Sequence, residues 1–208
     1  MRRLAVLGAS GHGKVVADTA QCCGWSQVDF YDDSWPSLVH NGNWLVLGDS
    51  AALYARLQSY QGVIVAIGNN FIRHTKLMAL MGVEAPIVSL IHPTAVISQF
   101  STIGLGSVVF AGAVVNAGSK IGLGAILNTC CSVDHDCVLG DAVHISPGAR
   151  LAGAVSVGER TWIGVGASVR QLIKIGSGVI VGVGAAVVHD VPDGITVAGV
   201  PAKNISKT

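Results

Sequence analysis

The sequence predicts two folded parts in series: a small parallel α/β unit over residues 1–88, then a three-sided parallel β-helix with a C-terminal tail over residues 89–208. Three observations carry this prediction. Strand-like and helix-like segments alternate in the first part, as they do in parallel sheets. From Ile91 to Val187, steps of six residues meet Ile, Leu or Val seventeen times without a miss. With those residue types at about a third of the chain, such a run arises on the order of once in a hundred million trials. Finally, 27 of the 208 residues are glycine, often just after one of these anchors, as in "IGLG" and "IGSG", where a tight corner is expected.

In the first part "RLAVLGA" reads as a strand, "HGKVVADTAQCCG" as a helix ended by Gly24, "VDFYDD" as a second strand and "SAALYARLQSY" as a helix. Strand "GVIVAIGNN", helix "FIRHTKLMALMG" and strand "PIVSLI" follow. The alternation describes a half-sized, Rossmann-like relative of a nucleotide-binding fold, whose ligands sit at the carboxyl ends of strands. Three stretches lie at those ends: the loop with Gly11, His12 and Gly13, the pair Asp32 and Asp33, and "IGNN" with Gly68 and Asn69.

The loop "VLGASGHGKVV" fits neither common phosphate-binding pattern. From Gly8 it satisfies G-x-x-x-x-G-K, but Val15 stands where Ser or Thr would hold magnesium. Glycines at 8, 11 and 13 also miss G-x-G-x-x-G. Exposed N–H groups at a helix start can nevertheless hold a diphosphate, and a carboxylate one strand away can accept hydrogen bonds from a base or ribose.

In the second part the position four after each anchor is small or β-branched, for example Ala113, Ser119, Cys131, Cys137 and Ala149. Side chains alternate across a strand, so the anchor and the residue two before it both point inward. Three six-residue walls make an eighteen-residue coil, with coils about 4.8 Å apart. The unbroken phase leaves no room for an inserted loop, so any site must be built from short side chains on the walls.

Bulk properties exclude several classes. Half the residues are apolar and 12% are charged, yet Arg170, Lys174 and frequent glycines interrupt the apolar tail, and no eighteen-residue uncharged apolar run exists. No membrane insertion is expected. The run Leu4–Leu7 is too short for a signal peptide. Five cysteines with no C-x-x-C spacing suit a reduced, cytoplasmic protein, and a net charge of +1 without a basic cluster gives no reason to expect nucleic acid.

Two histidines lie inside the repeat away from its ends. His135 is second after anchor Val133 and is flanked by Asp134 and Asp136, while His144 precedes anchor Ile145. Nine residues are half a coil, so the two cannot stack in one row of one prism. A cleft using both would lie between chains, which favours a trimer. A zinc site would need a third ligand; His92 and His189 lie at the first and last coils, so no metal is expected.

The repeat resembles the left-handed parallel β-helix of hexapeptide-repeat acyltransferases over residues 91 to about 191. Taken together, "GASGHGK", "YDD", "AIGNN", "LIHPTAVIS", "ILNTCCSVDHDCVLGDAVHISPGARLAG" and "VAGVPAK" resemble the sialic acid O-acetyltransferase family, and more closely the N-acetyltransferases of UDP-4-amino-4,6-dideoxy sugars of the bacillosamine type. The resemblance implies a homotrimer that transfers acetyl from acetyl-CoA to the C4 amine of a nucleotide-linked sugar for glycan biosynthesis. It implies His135 as general base and Asp136 as its orienting acid. His144, Gly153 and Gly182 would contact acetyl-CoA, Gly153 offering an N–H near the thioester, and Asn128 would line the acceptor site. The glycine loop, Asp32 and Asp33 would receive the nucleotide. O-acetylation of sialic acid, N-acetylation of GDP-perosamine, and a non-catalytic nucleotide-sugar scaffold are the alternatives on the same fold. The family often has Glu after the histidine. With the shorter Asp136, the pair can form only if the chain bends there or another group completes it.

Overall fold

The computed structural model describes residues 2–206, which fall into two compact units, Met1–Pro93 and Thr94–Thr208. The division sits at 93/94 and not at 88/89. The Cys23 thiol donates to the Ile91 carbonyl at 3.1 Å, which ties Ile91 to the first unit.

The first unit is built on β1 (Arg3–Leu7), α1 (Gly11–Cys22), β2 (Gln27–Tyr31), β3 (His40–Asn41), β4 (Trp44–Leu45), α2 (Ser50–Ala55), β5 (Gly62–Val65) and α3 (Asn70–Gly82). The parallel sheet has the order β2-β1-β5. Leu4 to Leu7 and Val63 to Ala66 are all buried, as expected of parallel strands covered on both faces. Helix α1 turns Gly13, Val16, Ala17 and Ala20 inward. Gly13 has a steric reason: a Cβ there would run into the Gly8 carbonyl and the Phe30 ring, so glycine lets the helix approach the sheet.

Four expectations need correction here. Strand β2 ends at Tyr31, which leaves Asp32 and Asp33 in the following turn. The helix expected over 50–60 breaks at Arg56 and resumes as a 3-10 turn, Leu57–Ser59, because Tyr60 is drawn inward to a buried network with Tyr31 (2.8 Å) and Asp29 (3.1 Å). "PIVSLI" is no continuous strand; only Ile87 bridges to β5. The hairpin β3–β4 was not anticipated, although "HNGNW" carries a Gly-Asn turn signal, Gly42–Asn43, with Gly42 in left-handed torsion.

The second unit is the expected left-handed parallel β-helix. Its first wall stacks Val96–Ile97, Val114–Val115, Ser132–Val133, Arg150–Leu151, Ser168–Val169 and Ala186–Val187; its second runs from Thr102–Ile103 to Lys174–Ile175, and its third from Val108–Val109 to Thr196–Ala198. Partners along a wall are eighteen residues apart. The anchors and the small row fill the interior together, from Val109 and Ala113 to Val187. The first anchor, Ile91, is an exception and is exposed. The phase also slips at the end: Ile175 pairs with Val191 and Val181 with Val197, two residues short of a full coil.

The corners differ from expectation in an informative way. Glycine just after an anchor is not the residue with special backbone torsion. At Gly104, Gly122 and Gly140 a Cβ would strike the backbone of the next coil, so glycine there permits close stacking. The left-handed torsion falls three after the anchor, at Gly106, Gly112, Gly118, Gly124 and Gly148, and at the non-glycine residues Cys130, Asp136, Ala142, Ala154, Arg160 and Leu172.

Candidate active site

Asp136 occupies one of these left-handed corners, with φ of 58°. The bend answers how neighbouring residues can meet: Asp136 Oδ2 lies 2.8 Å from His135 Nδ1. No other group is needed to complete the pair. An ionised carboxylate only accepts, so the ring donates from Nδ1 and leaves Nε2 as its acceptor atom. Both side chains are exposed, 61% and 68% respectively, so the pair faces solvent from the corner between the first and second walls.

The adjoining coils make room for this pair. A Cβ at Gly153, eighteen residues after His135, would collide with the Nε2 and Cε1 edge of the imidazole. A Cβ at Gly118, eighteen before Asp136, would collide with the Asp136 carboxylate. The Gly153 N–H donates to no group among the described residues. Asp134 does not contact the ring; its Oδ1 accepts from the His135 N–H and from Asn116 Nδ2, both at 2.8 Å. Its carboxyl is held below the ordinary range by those two donors, Asn116 first. The hydrogen bond to Asp136, assisted by the charges of Asp134 and Asp136, raises the His135 pKa above its usual 6.5.

His144 lies elsewhere, on the third wall, and is buried rather than on the surface. Its ring stacks on Trp162 from the next coil, centroids 5.5 Å apart and planes within 4°. Asn128 Oδ1 accepts from the Thr129 N–H at 2.9 Å, which turns its Nδ2 towards His144 Nε2 at 3.2 Å. The Asn128 amide therefore donates, and His144 accepts at Nε2. Asn128, Ser146, Gly164 and Gly182 follow one another at eighteen-residue steps along the corner after this wall. A Cβ at Gly182 would come 2.8 Å from Ala198 Cβ, so packing alone asks for glycine there. Within one chain the structure brings together His135, Asp136 and Gly153, and separately His144 and Asn128.

Two of the cysteines near these groups are not poised as nucleophiles. Cys131 and Cys137 are buried, and burial pushes both thiols up, Cys131 to about 12. Among the described residues no three His, Cys, Asp or Glu side chains gather as a metal site, and no helix is long and apolar enough to cross a membrane.

In the first unit a cavity of about 250 Å³ is lined by Gly8, Ser10, Asp32, Asp33, Gly68 and Lys76, among others. Helix α1 begins there with no side-chain cap and no acidic residue in its first turn, which leaves its N-terminal dipole open to an anion. Gly11 faces open space, whereas Gly13 is a packing residue. The aspartates are more engaged than expected. Burial alone would raise the Asp32 carboxyl, but N–H donors from Ala9 (2.8 Å) and Ser34 (2.9 Å) outweigh it and hold it low. Asp33 is held at about 2, first by Lys76 at 2.8 Å and then by Ser50.

Asn69 is the N-cap of α3, accepting from the Ile72 N–H at 3.0 Å. Burial, with the charge of Arg73, holds His12 at about 4, so it presents a neutral imidazole and no positive charge to a phosphate. Lys76 and Arg73 were missed from sequence. Arg73 is fully buried and donates to the carbonyls of Ile67 and Gly68, which shapes the predicted "IGNN" turn.

Residues 3–80 match the PglD N-terminal domain family. Over 113 residues the chain is 37% identical to UDP-N-acetylbacillosamine N-acetyltransferase of Bacillus subtilis (strain 168); the match covers 53% of this chain and spans about half, 52%, of that curated relative. Along its whole length it is similar to the acetyltransferase domain of PglB from Neisseria gonorrhoeae FA1090, with 45% identity, a TM-score of 0.94, and 99% and 100% of the two chains covered. That domain has also been solved in complex with acetyl coenzyme A. A histidine-to-asparagine mutant of perosamine N-acetyltransferase from Caulobacter crescentus, in complex with CoA and GDP-perosamine, is 40% identical with a TM-score of 0.94, over 100% of this chain and 98% of that one.

Proposed function

The chain belongs to the hexapeptide-repeat acyltransferases of the bacillosamine type, and from that membership we propose that it transfers acetyl from acetyl-CoA to the C4 amine of a nucleotide-linked 4-amino-4,6-dideoxy sugar. UDP is the proposed nucleotide. One observation carries the reading: an exposed histidine whose Nδ1 is engaged by Asp136 and whose Nε2 edge lies against Gly153.

The amine sheds a proton as its bond to the thioester carbonyl forms. His135 Nε2 takes that proton, and Asp136 keeps the other ring nitrogen protonated and stabilises the imidazolium. The Gly153 N–H, with no acceptor of its own among the described residues, is the proposed donor to negative charge developing on the carbonyl oxygen. The imidazolium then returns its proton to the departing thiolate. The inert thiols of Cys131 and Cys137 support direct transfer to the amine without an acyl-enzyme.

His144, Asn128 and Gly182 are assigned to acetyl-CoA and acceptor contacts from a neighbouring copy. His135 and His144 lie on different walls of one prism, so a cleft holding both draws them from two chains of a homotrimer. Five free cysteines suit the reducing cytoplasm as its location. The cavity at the start of α1 is the proposed nucleotide site, with Gly11, His12, Gly68 and the remaining lone pairs of Asp32 and Asp33 as its contacts.

A thiol-release assay with acetyl-CoA and a panel of UDP- and GDP-linked amino sugars tests this directly. Turnover with a UDP-linked 4-amino sugar is expected; turnover with free sialic acid alone would replace the reading, and silence with every acceptor would favour a scaffold. Gly11→Val is expected to weaken nucleotide-sugar binding about tenfold by titration calorimetry, with acetyl-CoA binding unchanged. Equal weakening of both would mean misfolding. Gly13 is unsuitable for this test because its side of the helix packs on Phe30.

Asp136→Asn has a signed pH effect. Only neutral His135 accepts a proton, so kcat/KM falls as pH drops through the His135 pKa, which Asp136 raises above 6.5. Removing the carboxylate moves this acid limb to lower pH and lowers the plateau at least about tenfold. An acid limb that does not move would remove Asp136 from the role.

A further inference from the structure

The turn that carries His135 and Asp136 is fastened from inside the prism by a residue that does not face the site. Ser119 is fully buried on the small interior row, one coil before the turn. Its Oγ donates to the Asp134 carbonyl at 2.6 Å and accepts from the Cys137 N–H at 3.1 Å. These are the residues on either side of the His135–Asp136 pair. One hydroxyl therefore ties both ends of a corner whose middle holds a non-glycine residue in left-handed torsion.

Among the hydroxyls of the described residues the same device occurs twice more. Ser107 Oγ donates to the Gly122 carbonyl and accepts from the Ala125 N–H; Thr161 Oγ1 donates to the Gly176 carbonyl and accepts from the Val179 N–H. In each case the partners lie fifteen and eighteen residues onward, and each hydroxyl is fully buried. Both of these copies lie in corners between the second and third walls, away from His135 and Asp136. The fold thus contains its own control: the same carbonyl-and-N–H bridge, with and without the histidine pair above it.

Resting on the acetyltransferase reading, we propose that Ser119 is a positioning residue, setting the torsion of the 134–137 turn so that Asp136 stays on His135 Nδ1 and Nε2 stays over Gly153. The other atoms that hold the turn are backbone or face outward: the Ala154 N–H on the His135 carbonyl (2.8 Å), the Asp136 N–H on the Ala117 carbonyl (3.0 Å), and Asn116 on Asp134. Among the described residues Ser119 is the side chain that bonds to both sides of the pair. The ionisable groups facing His135 are Asp134 and Asp136, and Gly153 adds none.

Ser119→Ala and Ser107→Ala each remove one interior hydroxyl with two partners. Ser119→Ala is expected to lower kcat tenfold or more with the KM for acetyl-CoA within twofold, and to lower the NMR-titrated pKa of His135 towards that of a free histidine. Ser107→Ala is expected to keep kcat within twofold at a comparable loss of melting temperature. Ser119→Thr, which keeps the hydroxyl as Thr161 does, is expected to restore most of kcat. Equal kcat losses in the two alanine variants, or an unchanged His135 titration in Ser119→Ala, would overturn the proposal. If Ser119→Ala does not fold, Ser119→Cys is read in the same way, since its thiol fills the space with far weaker hydrogen bonds. The histidine titration needs no substrate. Failure of the acetyltransferase reading is instead recognised by a wild-type protein inactive with every acceptor while the titration still responds to Ser119.

Discussion

His135→Ala is expected to lower kcat by about 10²- to 10⁴-fold while the protein keeps its melting temperature, its wild-type mass in solution and its affinity for acetyl-CoA. The separation follows from where the side chain sits. It is 61% exposed and contributes nothing to the interior rows, so truncation opens no core cavity. The corner itself is held by backbone bonds at Asp134, His135 and Asp136 and by Ser119, all of which survive. Stopped-flow turnover, light scattering and calorimetry on one preparation check the three parts. Near-normal turnover would remove the base from the mechanism, and a joint fall in stability and turnover would make His135 structural.

Gly153→Ala is expected to cost about 10²-fold in kcat although His135 itself is not substituted. The added methyl would occupy the place of Nε2 and Cε1 of His135, so the ring must swing away or the coils must part. Misplacing a base by about an ångström is enough for a loss of this size. Gly153 has no positive φ, so strain in its own torsion does not confuse the result. A double variant with His135→Ala discriminates: with the ring gone, Gly153→Ala should cost much less than it does alone. Independent, additive losses would mean that the methyl acts elsewhere, for instance on the Gly153 N–H.

Much of the β-helix was legible because its rule is local and repeated. Every coil meets the same interior, so Ile, Leu and Val recur where stacking demands them, and Ala, Ser, Cys and Thr recur where the corner leaves little room. The meaning of the glycines was harder to read. "IGLG" contains one glycine required by the coil beside it and another required by its own torsion, and only coordinates separate the two. That ambiguity hid the bend at Asp136, which carries left-handed torsion without being glycine. His144 against Trp162 was in principle visible, since the two are eighteen residues apart in a chain with an eighteen-residue coil. The grip of Lys76 on Asp33 was not, because nothing local in helix α3 announces which turn of the sheet it will face. Asp32 and Asn69 were picked out as ligand contacts for being polar at strand ends, yet the same polarity lets them brace the loop and cap the helix.

The stacking of identical coils has a consequence for how this site could change over time. Everything that fixes the His135–Asp136 pair comes from its own coil and the two that touch it, from Asn116, Gly118 and Ser119 on one side to Gly153 and Ala154 on the other. Stability in such arrays is close to a sum over nearest neighbours. The pair is therefore fixed by a cassette of about three rungs on a ladder, and rungs beyond it can be inserted, deleted or exchanged without disturbing its geometry. Inheritance can lengthen the ladder while the chemistry stays at the same rung.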